Sequence, residues 1–126
     1  MQIPDDLHYS SDHEWVRVEG TRAKVGITDY AQDALGDVVF VDLPEVGAAV
    51  DAAASISEVE STKSVSDIYA PVAGTIAEVN ADLADAPERL NEDPYGEGWI
   101  FVIEMSDPTQ IDTLLSASDY RTLVEG

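Results

Sequence analysis

Val59-Glu60-Ser61-Thr62-Lys63-Ser64-Val65-Ser66-Asp67-Ile68-Tyr69-Ala70-Pro71-Val72-Ala73-Gly74 is the stretch whose reading decides the fold. Ile56 to Glu60 and Val65 to Tyr69 are short runs rich in β-forming residues, and the polar Ser61-Thr62-Lys63-Ser64 between them predicts a β-hairpin. Ala70 to Gly74 reads as a second turn, with Thr75 to Val79 as the strand that follows. Lys63 then sits at a hairpin tip. A single lysine in a loop is ordinarily no more than solvated. In this chain only Lys24 and Lys63 occur beside Arg17, Arg22, Arg89 and Arg121, so a lysine kept at an exposed turn calls for a reason. A primary amine on a flexible four-carbon stem, projected from a rigid tip, makes a swinging attachment point for a prosthetic group.

Outward from the hairpin, short apolar runs between turn residues continue, which reads as a mainly β chain. Trp15 to Val18 and Ala23 to Ile27 alternate about Glu19-Gly20 as a hairpin. Thr28 can cap a helix from Asp29 to Leu35, and Gly36 stands where a left-handed residue ends one. Asp37 to Leu43 reads as a strand closed by Pro44, whereas the alanine-rich 48–54 stretch is ambiguous. Residues 80–98 are polar, with Pro87, Pro94, Gly96 and Gly98, and read as loop with one helical turn. Trp99 to Met105 is the last strand. Asp107-Pro108 opens a helix to about Leu115, and a final helix spans Ala117 to Glu125 with Ser118 as its cap.

The chain has 126 residues, which suits one domain spanning 1–126, and no cysteine, so disulfides, cysteine–zinc sites and thiol nucleophiles are excluded. Its start shows no signal or transit pattern and no apolar run is long enough for a membrane span, so the expected location is cytoplasmic. Twenty-six acids against six bases leave a net charge of −20. Such a surface repels nucleic acid and anionic membrane. Because the acids spread along the whole chain, the charge reads as solvation in concentrated salt, and hence a halophilic source, before it reads as steering toward a basic partner. No nucleophile elbow, phosphate-binding glycine loop, His/Cys metal cluster or calcium loop is present, so nothing singles out an enzyme.

The 59–74 stretch resembles the lipoyl-attachment motif, in which a lysine at a tight turn is followed by a Ser/Ala-Pro-Val-x-Gly turn. Biotinyl carriers share the architecture but usually flank the lysine with methionine; here Thr62 and Ser64 hold those places, which favours lipoate. The likeness extends to His13-Glu14-Trp15-Val16, to Val25 through Gln32, to Leu35 through Val41, to Leu43 through Gly47 and to Asn91 through Trp99. Over essentially the full chain it is similar to the glycine cleavage system H protein family. Lipoyl domains of 2-oxoacid dehydrogenases lack the N-terminal extension and the terminal helices.

The resemblance implies a barrel-sandwich hybrid of two antiparallel sheets with short flanking helices, and a non-catalytic carrier with lipoate on Lys63. Its partners would be glycine decarboxylase (a pyridoxal-phosphate enzyme), the aminomethyltransferase, dihydrolipoamide dehydrogenase and a lipoate ligase or lipoyl transferase. A carrier for lipoyl or octanoyl relay would use the same lysine, and a biotinyl carrier is the weaker alternative. The loaded arm would bear an ammonium beside a labile carbon–sulfur bond, so a cleft with carboxylates and apolar walls would protect it. By resemblance Asp12, Glu14 and Asp67 hold the arm, with Ile27, Ala31 and Leu35 as apolar walls. Position 12 is commonly serine or another acid in the family. Trp15 and Trp99 are expected in the core, and His8 and His13 are expected to be structural or solvated.

Overall fold

The computed structural model describes residues 2–125. Nine strands lie within them: β1 (His8–Tyr9), β2 (Glu14–Glu19), β3 (Arg22–Ile27), β4 (Val38–Asp42), β5 (Ala49–Val50), β6 (Ser55–Ser61), β7 (Val65–Tyr69), β8 (Gly74–Val79) and β9 (Phe101–Met105). The chain is mainly β, in two antiparallel sheets. One has the order β1-β2-β3-β9-β8-β5; the other is the three-stranded β4-β6-β7.

Strand alternation sets which side chains meet between the sheets. Val25 and Ile27 of β3 and Ile76, Phe101 and Ile103 of β8 and β9 face Val41, Val59 and Ile68 of the smaller sheet in one buried cluster. Each such side chain, fully removed from water, contributes roughly 1.5–3 kcal/mol. A second cluster gathers Ile3, Leu7, Tyr9, Trp15, Tyr95, Ala117 and Tyr120, and so ties both chain ends to the larger sheet. Trp15 lies across its cross-strand partner Gly26, where a Cβ would fall 2.7 Å from the indole. That explains a glycine inside a strand.

The helix α1 (Asp29–Leu35) begins at Thr28, whose hydroxyl accepts from the Ala31 amide, and ends at Gly36 with φ +81°. The 80–98 segment is more ordered than its composition suggests, holding α2 (Asp82–Asp85) and α3 (Arg89–Glu92), with Leu83 and Leu90 buried as anchors. The segment after Asp107 forms a 3-10 helix, Pro108–Thr113, with no buried residue, and the Gln110 side chain accepts from the Ala73 amide. Ile111 and Leu114 pack only partly buried against the main cluster, too small an apolar face to favour a longer α-helix there. The last helix, α4 (Ala117–Glu125), is capped by Ser116 rather than Ser118, the Ser116 hydroxyl accepting from the Asp119 amide. β1 was not legible: two residues are too short for a pattern.

Candidate functional site

Lys63 occupies the turn between β6 and β7, and the sequence makes that turn rigid. The Ser61 hydroxyl oxygen accepts from the amides of Lys63 (3.2 Å) and Ser64 (3.0 Å), while the Ser61 amide donates to the Ser64 carbonyl (2.8 Å). The Thr62 amide donates to the Asp37 carbonyl at 3.0 Å, pinning the tip to the chain entering β4. Lys63 is exposed. Among the described residues it is the one basic side chain whose head group has no ion pair, hydrogen bond or aromatic face. Its stem passes over Gly36, where a Cβ would stand 3.2 Å from Lys63 Cε, so the glycine that ends α1 also leaves room for the lysine.

Beside this tip lies a cleft of about 400 Å³ between α1 and β7. α1 contributes Tyr30, Ala31, Ala34 and Leu35; β3 contributes Ile27; and the other bank is Ser64, Val65, Ser66 and Ile68. Asp12 and His13 close the far wall. The cleft thus offers hydrocarbon from Ile27, Ala31, Ala34, Leu35, Val65 and Ile68, hydroxyls from the serines beside the tip, and a carboxylate with an imidazole at the far wall. A long apolar tether with a polar end suits it.

Glu14 stands behind that wall and is 1% exposed. It is flanked by lining residues, following His13 in sequence and pairing with Ile27 across the sheet. One carboxylate oxygen accepts from the Ser10 hydroxyl at 2.6 Å and the other from the Tyr69 amide at 3.2 Å. Burial pushes its carboxyl up to about 7, against the pull of those two hydrogen bonds, and nearby Asp12 adds to the rise.

His13 holds a left-handed backbone, φ +71°, a conformation that costs a non-glycine residue about 1–3 kcal/mol. Its amide donates to the Ser10 carbonyl and its carbonyl accepts from Thr28, which fixes it there. The ring lies 4.8 Å from that of Tyr30, and Nδ1 is 2.9 Å from the Tyr120 hydroxyl. Burial lowers the imidazole's basicity, outweighing Asp12.

Of the residues singled out in the sequence, Asp12, Ile27, Ala31 and Leu35 line the cleft. Glu14 adjoins it from the protein side. Asp67 is not among the lining residues: it stands opposite Glu58 on β7 and is exposed, although Val65, of the same parity, reaches the cleft. His13 is not a merely structural or solvated histidine but a wall of the cleft. Nothing in its sequence context signals this, since a tertiary contact with α4 sets it. Tyr30 and Ala34 were within reach of helical spacing from Ala31 and Leu35. Trp15 is fully buried, and Trp99 is half-buried with the Lys24 ammonium 5.2 Å from its ring.

Residues 7–126 match the model of the family described as glycine cleavage H-protein. The chain belongs to the glycine cleavage H-protein family. The glycine cleavage system H protein of Bacillus subtilis is 52% identical over 125 residues, covering 99% of this chain and 98% of that protein. The corresponding protein of an Anaeromyxobacter species is 53% identical over 125 residues, again 99% and 98%. A crystal structure of a glycine cleavage system H protein from Mycobacterium marinum matches with a TM-score of 0.90 at 45% identity, covering 98% of this chain and all of that one. The family is the lipoyl carrier of the glycine cleavage system, and its members carry lipoate covalently on a lysine. Its partners are glycine decarboxylase, the aminomethyltransferase, dihydrolipoamide dehydrogenase and lipoyl ligase. The fold is lipoyl-domain-like. No helix among the described residues is long and apolar enough to cross a membrane.

Proposed function

We propose that Lys63 is the lysine that bears lipoate, and that the cleft between α1 and β7 is where the loaded end of the arm rests. The chain acts as a single carrier domain that catalyses nothing itself, in the compartment of its partner enzymes, which we take to be the cytoplasm. The observation that carries the reading is an unpartnered lysine head group on a pinned turn, with its stem lying over Gly36 and the cleft beginning at the next residue, Ser64. The other lysine fits poorly, because Lys24 is paired with Glu19 and lies against Trp99.

When bound, lipoate supplies a disulfide that takes up the aminomethyl group and a dithiol that is later reoxidised. The protein's residues do the rest. The turn keeps the amide-linked arm away from the surface, so that enzymes with buried active sites can reach it. Ile27, Ala31 and Leu35 exclude water from the tether. The carboxylate of Asp12 meets the ammonium first, with Glu14 behind it. Either holds the amine protonated, and a protonated amine has no lone pair with which to expel the sulfur. Asp67 is exposed on β7 and is not among the residues that line the cleft.

Intact mass after expression in a lipoylation-competent host tests the attachment. The parent chain should gain a lipoyl increment and Lys63→Arg none. A biotinyl increment, or a gain that survives the substitution, would overturn the assignment.

A further inference from the structure

We propose that Tyr120, on the C-terminal helix, is a positioning residue for the cleft, its hydroxyl fixing both the His13 wall and the Thr28 cap of α1. The proposal deepens the cleft reading above and rests on it. Tyr120 does not line the cleft. Its hydroxyl oxygen lies 2.9 Å from His13 Nδ1 and 2.7 Å from Thr28 Oγ1, and so joins the far wall of the cleft to the cap of its α1 bank at one atom.

The direction of the hydrogen bonds follows from counting protons. The Thr28 hydroxyl oxygen already accepts from the Ala31 amide, and Thr28 is fully buried. If Tyr120 donated to Thr28, the proton of this fully buried threonine would have no acceptor among its neighbours, which is costly. The satisfied order is Thr28 donating to Tyr120, and Tyr120 donating to His13 Nδ1. Burial pushes the Tyr120 hydroxyl up to about 12, so it keeps the proton it must give. His13 is then neutral, with its proton on Nε2. That is an apt wall for a cationic cargo, since an imidazolium beside it would repel the ammonium.

Position and packing are separable at this residue. The ring of Tyr120 stacks on Tyr9 at 4.7 Å and 9° within the second core cluster, and this packing serves stability. The hydroxyl serves the cleft. Thr28 caps the helix that supplies Tyr30, Ala31, Ala34 and Leu35, so a loosened cap moves that whole bank.

Tyr120→Phe keeps the ring and removes the hydroxyl. In the full-length lipoylated chain it should fold and be lipoylated. Nitrogen NMR should find His13 Nδ1 unprotonated and accepting in the parent, with that signature lost in the variant. Release of the aminomethyl group from carrier charged by glycine decarboxylase should be about fivefold faster, the size of one lost hydrogen bond. Thr28→Ser, which keeps a hydroxyl, should hold both readouts at parent values. A protonated Nδ1 in the parent overturns the proposal even if the phenylalanine variant fails to fold. So do an unchanged imidazole signature and release rate in a folded variant. Failure of the underlying reading looks different: charging the parent carrier would leave the Ala31 and Leu35 methyl resonances unmoved.

Discussion

Glu14 shows what a buried carboxyl does to stability across the pH range. Its carboxyl titrates near 7 in the folded chain, above the ordinary 4.5, because burial outweighs the Ser10 and Tyr69 hydrogen bonds. An acid whose folded value is raised contributes fully at pH below 4.5, where it is protonated in both states. That contribution is lost as pH climbs through 7, when a proton must leave a buried group. The parent should therefore lose up to about 3 kcal/mol from this group between pH 4.5 and pH 8. Glu14→Gln, which can still accept from Tyr69, should lack that part of the slope. Chemical denaturation of both at the two pH values measures it, and equal slopes would refute the account. Under the proposed docking of the arm, an ammonium held near the carboxylate would offset part of that cost. Scarcity and context marked Lys63 in the sequence, and the structure places it exposed on the turn between β6 and β7. Asp67, named beside Glu14 by the motif, was harder to place: a motif gives spacing, whereas the fold leaves it exposed opposite Glu58 and outside the cleft's lining.

Among the elements, α1 was readable from both ends, since Thr28 and Gly36 are chemically suited to start and stop a helix and do so. The 80–98 segment was not, because two buried leucines rather than local propensity hold its short helices. The β2–β3 hairpin shows a tighter constraint. Its register sets Trp15 over Gly26, and the indole's Nε1–H donates to the Pro94 carbonyl at 2.8 Å, so the ring cannot slide away cheaply. Gly26→Ala should cost about 1–3 kcal/mol through overpacking. A melting curve checks this, and a neutral change would mean the indole yields more freely than its hydrogen bond suggests. The C-terminal helix also does more than its sequence reveals. The sequence predicts a helix over Ala117 to Glu125, but not that Tyr120 reaches His13.

For the whole molecule, the mainly β, two-sheet architecture was legible because hydrophobic alternation and turn residues agree along most of the chain. The pairing order was not, since β1 and β5 are two residues each and are recruited by long-range contacts. The charge of −20 is distributed with structural consequences. Across the outer face of the smaller sheet, Asp42 stands opposite Glu58 and Glu58 opposite Asp67, three carboxylates in one row. Like charges directly opposed across strands are destabilising. Salt screens exposed charges, with a Debye length of about 3 Å at 1 M. The melting temperature should therefore rise with salt, as expected of a salt-adapted protein. Asp67→Asn should stabilise the chain by about 0.5 kcal/mol at low ionic strength and have little effect at 1 M or above. A protein whose stability ignores salt would count against both.

The alternation along β7 has one more consequence. Ser66 and Ile68 line the cleft, while Asp67 between them is exposed to solvent. A designer can therefore change the charge and solubility of this face at Asp67 while every residue lining the cleft keeps its identity.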